Sequence, residues 1–287
     1  MWTRKLLKKN AKVAFKRNYW RCVVVSWIAV ILGVTIGSGV SLNSSSNLGG
    51  SSNNNDYYEE WYDDDYDDDD DYYYNEDENL LHELFKNDVF KSVVLPITLI
   101  FVAVVAILII AFGILVTNVA SVGHKRYYLE NREHKTNIGT LFYGFRGGRY
   151  GSNVWIMFWK ELVIFGWTLL LVIPGIIKAY AYMMIPYILA ENPEISKERA
   201  FEISREMMKG HKWEAFVLSL SFLGWEILGM FTVGLLGIFY VNPYVDATFA
   251  EFYTALKAEA FSKGITNEIE LPGVKYPKFN EQTVGEF

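Results

Sequence analysis

Cysteine is nearly missing from this chain: Cys22 is the only one in 287 residues. One thiol closes no internal disulfide and builds no thiolate metal cluster. Standing at the start of an apolar run, it reads as a small hydrophobe. Histidine is scarce as well, and none of His82, His124, His134 and His211 has a partner at metal-ligand spacing. Neither H-E-x-x-H nor G-x-S-x-G occurs, so the common signatures of metal-dependent and serine hydrolysis are missing. GFRGGRYG at 144–151 is glycine-rich but lacks the G-K-[ST] ending of a phosphate loop. No metal and no cofactor is expected, and the chain reads as a non-enzyme.

Charge is missing from whole stretches. Cys22–Val40 is 19 residues without a charge, and Ser92–Val122 is 31. Bilayer hydrocarbon is ~30 Å thick and takes about 20 helical residues to cross, so both read as spans. A secretory signal is the competing reading of the first. The basic region before it is long and no A-x-A site follows, which favours an uncleaved span. Val154–Ile173 holds only Lys160 and Glu161, and Ile176–Ala190 only Lys178. Pro174-Gly175 reads as the turn between them. The apolar run Trp213–Tyr253 breaks at Gly234 and at Asn242-Pro243, as a helix out and a helix back. The expectation is an all-α integral membrane protein with a membrane domain over 22–258. Its six transmembrane helices, at about 22–42, 92–122, 154–173, 176–190, 213–233 and 235–256, form three hairpins.

What charge there is lies unevenly. Between Asn43 and Asp88 there are 16 acidic residues and one lysine, although the whole chain carries only −6. Residues 1–21 hold eight Lys/Arg and no acid, and 123–151 holds six Lys/Arg against two Glu. Such asymmetry points to the two sides of a membrane and not to nucleic acid. The positive-inside rule puts both termini and the polar tail 259–287 in the cytoplasm, with the 43–88 loop outside. Trp2, Leu6, Val13 and Ala14 fall near one helical face, so 1–21 reads as a basic amphipathic helix on the inner leaflet. Residues 196–210 read as a second amphipathic helix, capped by Ser196, stopped by Gly210, and buried through Ala200, Ile203, Ser204, Met207 and Met208.

Two groups of residues are functional candidates. The first is the acidic, tyrosine-rich loop, too poor in aliphatics to pack a core and expected to be disordered. Trp61 with Asp63, Asp64, Asp65, Asp67, Asp68, Asp69, Asp70 and Asp71 would draw cations or cationic peptides by charge and cation–π contact; the blander reading is a solvated loop. The second is the ionisable set inside the spans, Lys160, Glu161, Lys178, Glu226 and Asp246. Burying such groups in lipid is costly, so each marks a functional position or a helix–helix tie. Helical rise places Lys178 near Glu226, and Lys160 and Glu161 near Asp246.

An internal repeat organises the second half. Trp155 precedes Gly166-Trp167 by eleven residues, and Trp213 precedes Gly224-Trp225 by eleven. Pro186-Tyr187 and Pro243-Tyr244 follow twenty and nineteen residues later. The reading is three parallel copies of an interfacial basic or amphipathic segment plus a hairpin.

Several of these stretches resemble the bacterial multi-pass membrane proteins of domain of unknown function 975. They are RKLLKKNAKVAFKRNYW at the start, LFYGF at 141–145, IPGIIKAYAYMMIPYILAENPEIS at 173–196, SREMMKGHKWEAFVLSLSFLGWEIL at 204–228 and NPYVDATFAEFY at 242–253. The resemblance implies an integral membrane protein with no assigned activity, and it brings no catalytic residues. Two function classes follow. One is a non-enzymatic accessory or protective protein of the envelope, meeting cationic peptides or envelope proteins through the outer loop. The other is a small ion- or solute-coupled transporter or channel using the polar residues in the spans.

Overall fold

The computed structural model describes residues 2–34, 90–146, 148–232 and 234–273, and all regular structure among them is helical. The acidic loop and the last fourteen residues lie outside the described part, and with them Trp61 and the aspartates from Asp63 to Asp71.

Helix α1 (Arg4–Arg17) opens at Thr3, whose hydroxyl accepts from the Leu6 amide at 3.2 Å. After Asn18 the chain continues as α2 (Tyr19–Ile31). A π-helical turn, Phe90–Val94, leads into α3 (Leu95–Phe112), a second one (Gly113–Thr117) into α4 (Asn118–Asn131). A 3-10 segment (Ile138–Phe145) precedes α5 (Tyr150–Leu170), α6 (Val172–Ala181) and α7 (Ile185–Glu191). Then come α8 (Lys197–Met207), α9 (Lys212–Leu220), α10 (Leu223–Phe231), a third π-helical turn (Gly237–Val241) and α11 (Asn242–Ser262).

Three helical runs are long and apolar enough to cross a membrane: Ser92–Asn131, Tyr150–Leu170 and Val172–Glu191. The chain divides into two compact units, one comprising 42–109 and the other the remainder. In the first, residues 92–109 are apolar on every side and none is buried. A helix without a polar stripe needs an apolar surrounding, from protein or from lipid. In the other unit the main hydrophobic core joins α1, α2, α4, α7, α8 and α11, and a small second cluster gathers Ala29, Val34 and Ala120.

Several expectations are corrected. The first long run does not stop at Val122 but continues nine residues to Asn131, because its last two turns find polar partners inside the protein. The turn between α5 and α6 is at Leu171, where the backbone is extended, and not at Pro174-Gly175. Pro174 stands in the first turn of α6, where an absent N–H is harmless. Gly175 lets that turn close onto α5: a Cβ there would lie 2.2 Å from Thr168 Oγ1. The 213–233 stretch is two helices, interrupted at Ser221-Phe222. Gly234 does make the turn expected of it, with φ +79°. The chain does not break at Asn242-Pro243; the π-helical turn runs straight into α11, and Pro243 occupies its first positions. The polar tail starts later than 259, since α11 reaches Ser262, and the tail to Gly273 is docked on the core: Leu271 is buried, and Arg199 holds Glu270 by two hydrogen bonds of 2.7 and 2.9 Å.

Helix α1 is amphipathic, but its apolar face is taken. Leu7, Ala11, Ala14 and Phe15 are buried, and the helix packs on α11. Of the residues assigned to the leaflet, Ala14 faces protein while Leu6 and Val13 remain exposed. Helix α8 matches its reading. Ser196 caps it by accepting from the Arg199 amide at 3.3 Å, and Ala200, Ile203, Ser204, Met207 and Met208 are buried.

His211 ties the start of α9 to α11. Nδ1 lies 2.7 Å from Glu214 and Nε2 3.1 Å from Glu259. Partial burial works against the imidazolium, but the two carboxylates outweigh it and hold its pKa above the ordinary 6.5. Hydrogen bonds from Lys263 and His211 hold Glu259 below its ordinary 4.5. A raised histidine stabilises fully below its unfolded pKa and loses that contribution as pH rises through the folded value; a lowered carboxylate stabilises above its unfolded pKa and loses it as pH falls. Both contributions are present together between pH 4.5 and 6.5. His211→Asn is therefore expected to lower the melting temperature most in that window and progressively less toward alkaline pH. A pH-independent difference in thermal denaturation contradicts the assignment.

Candidate functional site

Helix α4 has the sequence NVASVGHKRYYLEN, yet eleven of its fourteen residues are buried. By composition it belongs on a wet surface. Each of its flanks meets an element that satisfies most of its polar groups, the His124 ring excepted, and buried polar groups are in general tolerated on that condition.

The approach to the 3-10 segment depends on glycine. A Cβ on Gly123 would stand 1.9 Å from the Leu141 carbonyl oxygen, and one on Gly144 would stand 2.7 Å from that of Val119. With backbones this close, the Thr140 hydroxyl donates to Glu130 Oε2 at 3.2 Å and the Arg126 guanidinium lies 3.9 Å above the Tyr143 ring. Arg126 also donates to Glu130 Oε1 at 3.0 Å and to the Ala190 carbonyl at 2.6 Å, at the end of α7.

Toward α1 and α2 the ties are neutral or carry one charge. Asn18 Nδ2 donates to Asn131 Oδ1 at 3.0 Å and to the Tyr127 hydroxyl at 3.2 Å. Ser26 and Tyr128 hydroxyls are 2.7 Å apart. Arg17 donates to the carbonyls of Asn131, Arg132 and Glu133 at 3.0, 2.6 and 2.9 Å. The Asn131 carbonyl is the last of α4 and the other two follow it, so all three lie at the helix's C-terminal end, where a cation is the group that suits them.

Toward α11 the ties are ionic. Lys125 Nζ donates to Asp246 Oδ1 at 2.8 Å, and the Asp246 side chain has 0% exposure. His124 Nε2 lies 3.4 Å from Asp246 Oδ2, outside hydrogen-bond geometry. Two turns further on, Arg132 clamps Glu251 with bonds of 2.7 and 3.2 Å. On the next turns of α11, Lys257 donates to Glu191 of α7 at 2.5 Å, and the Gly273 amide donates to the same carboxylate oxygen at 3.1 Å. Tyr187 of α7 stacks on Tyr253 of α11, ring centroids 5.0 Å apart. Beside Arg132, Lys257 and Glu191 is a cleft of about 230 Å³, walled by Leu129, Thr254 and Phe261.

The expected residues fall as follows. Asp246 is at the centre of the site, but Lys160 and Glu161 are not beside it; they pair with each other at 2.8 Å. Lys178 does not reach Glu226. Its ammonium lies over Trp167 and Tyr182, 5.0 and 5.9 Å from their centroids, and Glu226 is exposed. Sequence reasoning missed His124, Lys125, Arg126, Glu130, Arg132, Glu191, Glu251 and Lys257. The findable signal was on α11, where Asp246, Glu251 and Lys257 interrupt an apolar helix and so demand partners elsewhere. Among the described residues no group of three or more His, Cys, Asp or Glu side chains could hold a metal ion. Pro186-Tyr187 and Pro243-Tyr244 each stand in the first turn of a helix, α7 and α11.

Breaking one half of a buried ion pair costs roughly 3–5 kcal/mol, whereas replacing both halves by apolar groups is often neutral. Asp246→Ala should therefore cost the protein stability on that scale. Lys125→Met combined with Asp246→Leu should recover most of the loss in detergent thermal denaturation. A double variant as unstable as the sum of its singles shows that the pair is not the tie described here.

Among known proteins, the family described as Protein of unknown function (DUF975) matches residues 76–260. The match takes in α3 through nearly all of α11 and leaves out α1 and α2. No curated protein and no solved structure matches the chain.

Proposed function

Since the chain belongs to the DUF975 family, a family of unknown function, we propose from its geometry that it is a non-enzymatic scaffold in the bacterial cytoplasmic membrane. In this reading it is an accessory or protective component of the envelope. The observation that carries this is the burial of one charge: Asp246 is fully buried, held by Lys125, and surrounded by packed aromatic and aliphatic side chains. A transport path needs its intramembrane charges to meet water or cargo, whereas a scaffold uses them to lock helices together.

The proposed membrane domain has six spans in three hairpins. α2 belongs to the first, and α3 to the second. α5 and α6–α7 make the third and fourth, α9–α10 and α11 the last two. The three long apolar runs support the central part of this scheme. Both termini are then cytoplasmic and the acidic loop is outside, where it meets cationic peptides before they reach the bilayer.

A second reading, a small ion- or solute-coupled transporter, draws on one observation: both ring nitrogens of His124 and Oδ2 of Asp246 are buried without a hydrogen bond. One experiment separates the two. Cells expressing the full chain, a deletion of residues 50–78, or Asp246→Asn are challenged with cationic peptides, and the purified proteins are tested for solute and proton flux in proteoliposomes. The scaffold reading predicts protection that is lost with the loop and no flux in any protein. Flux abolished by Asp246→Asn moves the function into the spans, and protection that survives the deletion removes the loop from it.

A further inference from the structure

α1 carries seven Lys/Arg and no acid. At 3.6 residues per turn, Lys5, Lys9, Lys12 and Lys16 fall within about 60° of one another, well away from the buried face of Leu7, Ala11, Ala14 and Phe15. All four lysines are exposed. Next to that stripe stand two exposed apolar side chains, Leu6 at 46% exposure and Val13 at 64%. The flank nearer the core is also cationic. Lys8 is half-buried, its ammonium 4.1 Å from the centre of the Phe222 ring. Burial, with Arg4 and Lys12 one turn to either side, pushes its pKa down. Among the described residues none of the four lysines has an ion pair, and only the Lys12 ammonium lies near a ring, 5.7 Å from the centre of Tyr244; like charges four residues apart destabilise a helix, and an anionic surface would relieve that repulsion.

Through Asn18 alone, α1 joins α2, whose Trp27, Val30 and Ile31 point outward at 52, 42 and 66% exposure. The lysine face is thereby tethered at the end of an apolar element. Resting on the membrane reading above, we infer that the Lys5–Lys9–Lys12–Lys16 face of α1 docks on the headgroups of anionic glycerophospholipids, with Leu6 and Val13 dipping into the acyl boundary. This differs from the sequence expectation in which surface is used: α11 holds the apolar face of α1, and the opposite, lysine-rich face meets the lipid. Lysine suits the task, since its stem lies along apolar surface while its ammonium reaches the headgroup.

The test uses the full chain and a variant carrying Lys5→Gln, Lys9→Gln, Lys12→Gln and Lys16→Gln. Both are expressed in cells, and the membranes are washed with alkaline carbonate. The proteins are then purified, reconstituted into bilayers of equal parts phosphatidylcholine and phosphatidylglycerol, re-extracted in mild detergent, and the retained lipid is counted by mass spectrometry. The wild type should retain phosphatidylglycerol several-fold over phosphatidylcholine, the preference should collapse toward parity in the glutamine variant and in high salt, and Lys→Arg replacements at the same four positions should restore it. Equal preference in wild type and variant overturns the proposal, provided circular dichroism shows the same helicity. Loss of a co-purifying acidic protein with an unchanged lipid ratio also overturns it, in favour of a protein partner. If carbonate strips the wild type, the membrane reading itself has failed; if the protein resists carbonate yet shows no lipid preference, only the lysine face has.

Discussion

The rest of this structure depends on the burial of α4 beside α11. A helix holding Lys125, Arg126 and Glu130, with Arg132 just past its end, does not enter a core unless each charge is met there, because an unpaired buried charge costs more than most single contacts return. α11 meets two of them with Asp246 and Glu251, and Glu130 meets Arg126 within α4 itself. α7 is then drawn in through the Ala190 carbonyl and through Glu191, which receives Lys257. α1 and α2 close the remaining side, Arg17 on the last carbonyls of α4 and Asn18 on its final asparagine. Neutral contacts do the rest: Gly123 and Gly144 bring the 3-10 segment to backbone distance, and the Tyr187–Tyr253 stack joins α7 to α11.

This arrangement bears on function through specificity more than through net stability. Buried ion pairs contribute little beyond what well-packed apolar residues would, but they punish every misaligned register. The pairs Lys125–Asp246 and Arg132–Glu251 sit along the same two helices, so sliding α4 by one turn would orphan four charges at once. Apolar helices in lipid have no such register of their own, since lipid tails solvate leucine as well as another helix does. A charged core is thus a way to fix how helices of featureless sequence are arranged, and a fixed arrangement is what an envelope scaffold offers.

The apolar segments were legible because a lipid solvent imposes a length and a composition that few other structures share. Ser92–Val122 could be read from the absence of charge alone. Local punctuation was legible where one residue decides it, as with Gly234, Ser196 and the buried stripe of α8. The α5–α6 turn was misplaced because proline and glycine signal both a turn and the first turn of a helix, and here they do the second. The polar site was hardly legible. Residues 123–151 have the composition of a basic cytosolic loop, and what turns 123–131 into core is the complementary acid set more than a hundred residues downstream. Asp246 was visible as a misfit, but its partner could not be chosen by depth: Lys160 and Glu161 satisfy each other, whereas Lys125 lay in a basic stretch read only for its side of the membrane.

The most direct test of the account is amide hydrogen exchange on the protein in lipid nanodiscs, followed by mass spectrometry over the peptides covering 118–131 and 242–256. If α4 and α11 form a dry, ion-paired core, these amides should be among the slowest in the chain and should exchange together, at a rate set by unfolding of the whole domain. Rapid exchange around Lys125 and Asp246, while the purely apolar segment 95–109 stays protected, would show that water reaches the pair and would contradict a sealed scaffold.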